Sequence, residues 1–306
     1  MSVIALIPAY NEAGTIGATV EAVHAIPEVT GVLVIDDGSR DATAQLARDA
    51  GAEVIHNAKN RGKGAALQHG IEHLDMRGSN SGGGDSSASE AQAATSAHPP
   101  AQPTGHPLAQ PAVHPDIVLL LDGDLGSSAS EAQALLYPVL DGLADMTIGV
   151  LPKPPGSGGF GVVKDLARSA IRDWGGGYDA QAPLSGQRAL SWECLQAVLP
   201  FAEGYGVEVA LSIRALQADF RLLEVRVDMQ HRVTGRDLAG FIHRGRQYLD
   251  VYRTIQRLEQ QEREAQQAQQ AQRERDGRRE RRERTAHPPQ SKTPQNKGSN
   301  GRSRRA

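Results

Sequence analysis

Short apolar runs alternate with helical patterns through the first third of the chain. Strands and helices are predicted in turn over residues 2–8, 12–25, 31–36, 41–50, 52–56 and 64–74. Strands and helices that alternate at this spacing need crossover connections, so the sheet they form is mostly parallel. The sequence therefore predicts an α/β fold with a central sheet flanked by helices. Ligands of such sheets bind at the carboxyl ends of the strands.

The composition changes abruptly over residues 78–115. This segment consists mainly of Gly, Ser, Ala, Gln, Pro and His, with almost no large apolar side chains. Such a segment cannot offset the entropy lost when a chain becomes ordered, so we predict a disordered, low-complexity insertion. A strand predicted at 116–121 follows it, and the alternation of strands and helices resumes.

The second half of the chain continues the same pattern and then becomes polar. Helices are predicted at 130–140, 162–174 and 207–218, strands at 145–150 and 220–227, and a Pro/Gly-rich loop at 152–159. An apolar helical stripe from Leu238 fades after Leu258, and a polar helix is predicted to reach about Asp276. We therefore expect one domain over 1–258. Residues 259–306 should form a polar helix followed by a disordered basic tail.

The net charge of -3 is unevenly distributed. Residues 259–306 carry a net charge of +6, so the preceding part of the chain carries -9. A basic extension can contact acidic lipid head groups, although its composition is that of a solvated extension and no nucleic-acid partner is expected. No window approaches the ~20 apolar residues of a membrane span. These features predict a cytoplasmic protein and leave peripheral contact with the inner face of the membrane open.

Two carboxylates follow the apolar run 117–121, in the sequence Asp122-Gly123-Asp124. Carboxylates at the end of a buried strand are costly to desolvate, so they need water, hydrogen bonds or a cation. Gly123 allows a sharp turn and close approach to a ligand. Hard oxygen ligands of this kind suit Mg²⁺ or Mn²⁺ carrying a diphosphate. Taken alone, the motif is also consistent with a polar turn.

Polar loops follow the other three predicted strands. Residues 8–12 lie after the first strand, 36–41 after the second and 60–64 after the third. The acids of the second loop can accept hydrogen bonds from a nucleobase and a ribose, and Arg61 and Lys63 can meet phosphate groups near a helix N-terminus. Each loop alone could be an ordinary capped or solvated turn. Together they place acids, bases and glycines on one edge of one sheet.

The four segments 7–12, 34–43, 61–66 and 121–124 occur in the order and spacing typical of family 2 glycosyltransferases. The chain resembles this family over roughly residues 2–250, apart from the insertion. It is similar to dolichyl-phosphate mannosyltransferase-like and glucosyl-3-phosphoglycerate synthase-like enzymes. The resemblance implies a GT-A (nucleotide-diphospho-sugar transferase) fold. It also implies a set of nucleotide-sugar contacts in the first half of the chain, namely Pro8, Tyr10, Glu12, Asp37, Lys63 and Asp122.

The resemblance implies further site residues in the second half. The segment 184–188 resembles the Ser-Gly-x-Arg segment that borders the sugar and acceptor site, which makes Arg188 an expected ligand of the donor. Glu208 matches a carboxylate near the acceptor, where it could accept a proton or orient sugar hydroxyls. Asp124 and Glu208 are therefore the expected catalytic residues. The expected metal ligands are Asp122, Asp124 and His231. Arg232 and Arg236 could bind the diphosphate or an acceptor phosphate.

The function that the resemblance implies is metal-dependent transfer of a hexose from a UDP- or GDP-linked sugar to a hydroxyl or phosphate acceptor. A soluble phosphorylated metabolite and a polyprenyl phosphate stay open as acceptors, as do the stereochemical outcome and a homodimer. One alternative is nucleotidyl transfer to a sugar phosphate, which normally requires a Gly-rich signature after the first strand, where this chain has Pro-Ala-Tyr-Asn-Glu. The other is a nucleotide-sugar-binding protein without catalytic activity.

Overall fold

The computed structural model of the chain describes residues 1–80, 114–152, 161–202, 204–230 and 238–286. The chain divides into two compact units, Met1–Leu258 and Glu259–Ala306.

The strands are β1 (Val3–Ala9), β2 (Val29–Asp36), β3 (Glu53–His56), β4 (Ile117–Leu120), β5 (Met146–Val150), β6 (Arg188–Ser191) and β7 (Leu222–Arg226). The α-helices are α1 (Ile16–His24), α2 (Thr43–Asp49), α3 (Lys63–Asn80), α4 (Gln133–Leu140), α5 (Gly161–Trp174), α6 (Trp192–Val198), α7 (Val207–Gln217) and α8 (Leu238–Ala286). Short 3-10 helices lie at Gly126–Ala132 and Gly204–Gly206.

The strands of the first unit form one sheet in the order β3-β2-β1-β4-β6-β5-β7. Strand β1 runs parallel to β2 and β4, β2 runs parallel to β3, and β5 runs parallel to β7. Strand β6 is antiparallel to both of its neighbours, β4 and β5. The predicted α/β fold with a mostly parallel sheet is therefore confirmed.

The continuous apolar sequence of β1 is explained by helices that cover both faces of the sheet. Successive β1 side chains point to opposite faces, so Val3, Ala5 and Ile7 pack in one core cluster, whereas Ile4 and Leu6 pack in another. Helix α1 covers the first face and α3 covers the second, through the buried side chains Ile16, Val20, Val23, Leu67, Ile71 and Leu74. Each fully buried side chain of this kind contributes about 1.5–3 kcal/mol.

Strand β6 and helix α6 were not predicted from the sequence. The strand has four residues and begins with Arg188, an arginine that is fully buried. Charged residues are almost never fully buried unless they are paired, so the sequence pattern gave no strand signal there. The hydrogen bonds that make this burial possible come from distant segments and are described below.

Several predicted boundaries were wrong by a few residues. The first helix begins at Ile16 rather than Glu12, because the backbone turns first and Thr15 and Ile16 donate to the Glu12 carbonyl at 3.0 and 2.9 Å. Helix α3 extends to Asn80, into the segment predicted to be disordered, and residues 81–113 of that segment lie outside the described residues. Most of the predicted loop at 152–159 also lies outside them.

Helix α8 ends at Ala286, beyond the predicted end near Asp276. Arginine and glutamate, which dominate this stretch, are among the better helix formers. The single Gly277 costs only about 1 kcal/mol relative to alanine in a helix interior. Within the described residues, no helix combines the length and the apolar content that a membrane crossing requires.

Asp145 and Arg221, which immediately precede β5 and β7, form an ion pair. Asp145 accepts hydrogen bonds from the Arg221 backbone and guanidinium at 2.8–3.0 Å, and these bonds hold the pKa of Asp145 below its ordinary value of 3.8. A lowered pKa contributes stability above pH 3.8 that is lost as the pH falls through the lowered pKa. We expect Asp145→Asn to lower the free energy of unfolding at pH 7.

The difference in the free energy of unfolding between Asp145→Asn and the wild type should shrink below pH 3.8, because the wild type then loses the contribution of the ionised Asp145 carboxylate. Urea unfolding between pH 7 and pH 3 measures it. Asp141→Asn, at an exposed position near the end of α4, is the matched control and should change little. A loss that is equal at every pH would contradict an ionic contribution from Asp145.

Candidate active site

The predicted site loops meet at one edge of the sheet. Strands β1, β2, β3 and β4 are parallel, so residues 8–12, 36–41, 57–63 and 121–124 leave or follow their carboxyl ends on the same side. Strand β6 runs in the opposite direction, so residues 185–187, which precede it, approach the same edge. Because β6 is antiparallel, residues from the second half of the chain reach an edge that is otherwise formed by the first half.

Lys63 lies between two carboxylates at this edge. Its Nζ is 2.6 Å from Asp122 Oδ1 and 2.8 Å from Glu208 Oε1. The Lys63 side chain is 19% exposed and that of Glu208 is 7% exposed, so the group is largely shielded from solvent. Burial acts to lower the pKa of Lys63, but the attraction of the two carboxylates outweighs it, and the pKa lies above its ordinary value. The lysine is therefore a fixed positive charge shared by two acids.

Gly186 provides the space that this ion pair needs. A Cβ atom at position 186 would overlap Lys63 Nζ and would lie 3.0 Å from Asp122 Oδ2. A larger residue would therefore displace the lysine or the aspartate. The glycine of the segment that resembles Ser-Gly-x-Arg acts here through the absence of a side chain.

Gln187 binds Asp122 through two hydrogen bonds. The Gln187 amide donates from Nε2 to Asp122 Oδ2 at 2.6 Å, and its Oε1 accepts from the Asp122 backbone N–H at 3.0 Å. The residue is completely buried. The sequence did not single out Gln187, because a glutamine between a glycine and an arginine has no distinctive pattern.

Arg188 lies inside the protein, beneath Glu208. Its guanidinium donates to Ser185 O at 2.9 Å, Ser212 Oγ at 3.0 Å and Glu208 O at 2.9 Å. Burial lowers the pKa of Arg188 to about 10. The sequence predicted Arg188 as a ligand of the nucleotide sugar. Because the structure buries its guanidinium against these three oxygens, we assign it to positioning Glu208 rather than to contacting the donor.

Asp37 also has a different environment from the one that the sequence predicted. It was expected to contact a nucleobase, but its buried carboxylate accepts hydrogen bonds from Asn57 Nδ2 at 2.8 Å, Arg61 N at 2.9 Å and Gly62 N at 2.8 Å. These donors belong to the loop after β3. Asp37 therefore fixes the course of that loop into Lys63, the first residue of α3.

The loops after β1 and β2 hold each other in place. The Asn11 N–H donates to Ser39 Oγ and Asn11 Oδ1 accepts from the Arg40 N–H, both at 2.9 Å. Asn11 has a φ of 56° and Gly38 a φ of 77°, and a Cβ on Gly38 would lie 2.7 Å from the Lys59 carbonyl carbon. The left-handed turn at Gly38 thus lets the loops after β2 and β3 touch.

The remaining residues predicted in the first loop lie at the rim of the same edge. Tyr10 is 41% exposed, so its ring can be reached from solvent. The Glu12 N–H donates to Thr43 Oγ1 at 2.8 Å, and Glu12 Oε2 accepts from Thr15 Oγ1 at 3.1 Å. Pro8 is the penultimate residue of β1. Tyr10 is therefore the exposed member of this loop, whereas Glu12 is engaged in holding the start of α1.

The turn that separates the two aspartates is clamped against α1. Gly123 packs so closely that a Cβ there would lie 3.3 Å from Ala9 Cβ and 3.5 Å from Ile16 Cδ1. The buried Thr19 hydroxyl donates to Gly123 O at 3.0 Å and accepts from the Gly126 N–H at 2.8 Å. This clamp fixes the directions in which the chain presents Asp122 and Asp124.

The chemistry of Asp122 and Asp124 fits a hard divalent cation. Their carboxylate oxygens are the ligands that Mg²⁺ and Mn²⁺ prefer. Over the described ranges, no cluster of three His, Cys, Asp or Glu side chains is arranged to hold a metal. The predicted third ligand, His231, lies outside these ranges, as do Arg232 and Arg236. Among the described residues, the two aspartates would therefore supply only part of the ligand set of a metal.

Comparison with known proteins agrees with this fold. Residues 4–76 match the sequence profile of glycosyl transferase family 2. The chain is 27% identical over 263 residues to glycosyltransferase AglJ of Haloferax volcanii, which covers 82% of this chain and 71% of that protein. It is similar to glucosyl-3-phosphoglycerate synthase from Mycobacterium tuberculosis in complex with phosphoglyceric acid, with 25% identity, a TM-score of 0.58 and coverage of 83% and 78%. A second structure of that enzyme, with Mn²⁺, UDP and glucosyl-3-phosphoglycerate, gives the same four values.

The fold is that of a GT-A enzyme. Within that class, the chain is a glycosyltransferase that resembles family 2, whose profile matches its residues 4–76. The family resemblance and the enzyme class predicted from the sequence are both confirmed.

The position of Arg188 predicts a structural cost for its removal. Arg188→Met would remove three buried hydrogen bonds from a charged donor, to Ser185 O, Ser212 Oγ and Glu208 O, and a hydrogen bond of this kind contributes about 1.5–3 kcal/mol. We expect the free energy of unfolding to fall by about 3 kcal/mol or more in urea titrations. Arg48→Met, at an exposed position on α2, should stay within about 0.5 kcal/mol of the wild type. Equal effects of the two substitutions would contradict the positioning role.

Proposed function

We propose that this protein is a metal-dependent glycosyltransferase that moves a hexose from a UDP- or GDP-linked sugar to a hydroxyl or phosphate acceptor. The observation that carries the proposal is the Lys63 ammonium between Asp122 and Glu208. It lies where the loops of β1, β2, β3 and β4 converge. A cation and several acids at one sheet edge are suited to a charged donor, in which a diphosphate joins a nucleoside to a sugar.

The beginning of α3 supports the proposed diphosphate site. Lys63 is the first residue of this 18-residue helix, and a helix N-terminus offers free N–H groups and a favourable dipole to an anion. Asp37 fixes the preceding turn through the N–H groups of Arg61 and Gly62. We propose that Asp37 acts on the nucleotide through this turn. Tyr10, exposed on the neighbouring loop, can offer its ring to the base.

Asp122 and Asp124 would hold the divalent cation, Mg²⁺ or Mn²⁺. When bound, this cation would neutralise charge on the nucleoside diphosphate that leaves the sugar. His231 remains the proposed third ligand. In its support, Gln230, which immediately precedes it, donates from its backbone N–H to Ser128 Oγ at 3.0 Å, just after the Asp124 turn. Arg232 and Arg236 remain proposed ligands of the diphosphate or of an acceptor phosphate.

Glu208 is the proposed acidic group on the acceptor side. The residue is buried, its carboxylate is held by Lys63, and its backbone carbonyl is held by Arg188 and Ser212. A fixed carboxylate can accept the proton that a hydroxyl acceptor loses when it attacks the sugar, or it can orient sugar hydroxyls. A phosphate acceptor is already ionised and needs no base.

A small phosphorylated metabolite is the acceptor class to test first. The similar synthase from Mycobacterium tuberculosis was crystallised with phosphoglyceric acid, which is such a molecule. A polyprenyl phosphate is the second class. The alternative of nucleotidyl transfer to a sugar phosphate has no support from the family of this chain. A cytoplasmic location and a homodimer remain predictions from the sequence.

Metal-dependent nucleotide binding is the first test of the proposal. Isothermal titration of the full chain with UDP, and in parallel GDP, should give binding that is stronger with Mn²⁺ than with EDTA. Asp124→Ala should weaken the Mn²⁺-dependent binding by about 100-fold, because even an outer-shell partner of a metal is worth 10- to 100-fold.

The control for this titration is Asp116→Ala, at the opposite end of the β4 segment, where Asp116 binds the Ser2 backbone N–H. It should bind the nucleotide like the wild type. The proposal would be refuted if neither nucleotide gave a heat of binding, or if Asp124→Ala kept the full Mn²⁺-dependent binding.

The role of Glu208 predicts a difference between acceptor classes. With a hydroxyl acceptor, Glu208→Gln should lower kcat by about 10²- to 10⁴-fold, the range expected for loss of a general base. With a phosphate acceptor the loss should be much smaller. A screen of nucleotide sugars against phosphorylated metabolites and polyprenyl phosphate, read by mass spectrometry, identifies the acceptor and supplies both rates. An unchanged kcat with a hydroxyl acceptor would rule out the base role.

A further inference from the structure

The segment that leads into β6 supports the ion pair through three consecutive residues, the last of which is the first residue of the strand. Gly186 leaves room for Lys63, Gln187 binds Asp122, and Arg188 binds the Glu208 carbonyl. Each member of the Lys63–Asp122–Glu208 group thus has its own neighbour in one short segment. Gln187 is the member of that segment that contacts a proposed metal ligand directly.

The two hydrogen bonds between Gln187 and Asp122 define the orientation of both side chains. The Asp122 backbone N–H can only donate, so it must face Gln187 Oε1, and the amide nitrogen must then face Asp122 Oδ2. Turning the amide by half a turn would place two donors against each other and two acceptors against each other. The arrangement therefore admits one orientation of the Gln187 amide.

A neutral donor directs a carboxylate without cancelling its charge. Asp122 Oδ1 faces the Lys63 ammonium and Oδ2 faces the Gln187 amide. A carboxylate has about four lone-pair sites on its two oxygens, so a carboxylate can accept more than two contacts. The terminal torsion of an aspartate is otherwise broad, and the amide limits it.

The backbone behind Gln187 holds the residue from the other side. Its carbonyl accepts from the Gly149 N–H at 2.8 Å. A Cβ on Gly149 would lie 3.2 Å from Gln187 Cβ and 3.2 Å from Val227 Cγ2. Gln187 therefore packs directly against Gly149 in β5. A larger residue at position 149 is a second means of displacing the Gln187 amide.

We propose that Gln187 is a positioning residue for Asp122, which fixes the rotation of that carboxylate so that it can bind the donor and its cation. This inference rests on the proposed function. It goes further by assigning a role to a buried glutamine that does not itself touch the donor. The same geometry makes Gly149 a second residue on which the orientation of Asp122 depends.

Gln187→Met tests the proposal, because methionine has similar length and no amide. We expect the affinity for UDP or GDP in the presence of Mn²⁺ to fall by about 10- to 100-fold, the usual range for an outer-shell partner of a metal ligand. Nucleotide binding in EDTA should change much less. Titration calorimetry measures both affinities, and a thermal melt of each variant establishes that it is folded.

A double-mutant cycle separates positioning from packing. If Gln187 acts through Asp122, then Gln187→Met should have little further effect on Mn²⁺-dependent binding in an Asp122→Asn background. If Gln187 only fills space, its effect should be the same in both backgrounds. The matched control is Gln133→Met, which removes a glutamine bonded to Glu28 away from the site and should leave binding unchanged.

Gly149→Ala is the independent variant if Gln187→Met does not fold. Its added methyl group should displace Gln187 and weaken Mn²⁺-dependent binding in the same direction. Binding within about 2-fold of the wild type in every folded variant at these two positions, or additive effects in the double-mutant cycle, would overturn the positioning role. Absence of nucleotide binding in the wild type would instead overturn the proposed function.

Discussion

A lysine between two carboxylates organises the whole edge of this sheet. Lys63 begins α3, Asp122 follows β4 and Glu208 lies in the first turn of α7. The Lys63 ammonium lies 2.6 Å from Asp122 Oδ1 and 2.8 Å from Glu208 Oε1. Two acids in a largely buried place would repel each other, so the positive charge is what allows them to lie together. The loops after β1 and β2, which are hydrogen-bonded to each other, form part of the same edge. The buried Arg188 holds the backbone of Glu208.

The antiparallel strand β6 explains how two distant halves of the chain share one site. A parallel strand in this place would have brought its preceding loop to the opposite edge of the sheet. Because β6 is reversed, residues 185–187 reach the carboxyl ends of its neighbours β4 and β5. The cost of burying Arg188 is offset by its three hydrogen bonds, one of which fixes the backbone of Glu208. The stability of the sheet and the geometry of the site are thus coupled.

The sequence predicted most of the sheet and the loops that form the edge, because both depend on local patterns. Apolar runs identify β1, β2 and β4, and glycines and acids identify the turns after them. Strand β6 escaped prediction because the partners of its buried arginine are supplied by tertiary structure. For the same reason the sequence assigned Asp37 to a base and Arg188 to a donor, whereas the structure engages both with the protein itself. The Lys63–Asp122 contact joins residues 59 positions apart, and no local pattern could reveal it.

We expect the sheet edge at the carboxyl ends of β1, β2, β3 and β4 to bind a nucleoside diphosphate together with a divalent cation. Diffraction from crystals of the full chain grown with Mn²⁺ and UDP, or Mn²⁺ and GDP, tests it most directly, because manganese gives an anomalous signal of its own. We expect an anomalous peak in contact with the Asp122 and Asp124 carboxylates, with the diphosphate beside it near the first turn of α3. A nucleotide bound elsewhere, or manganese without contact to either aspartate, would contradict it.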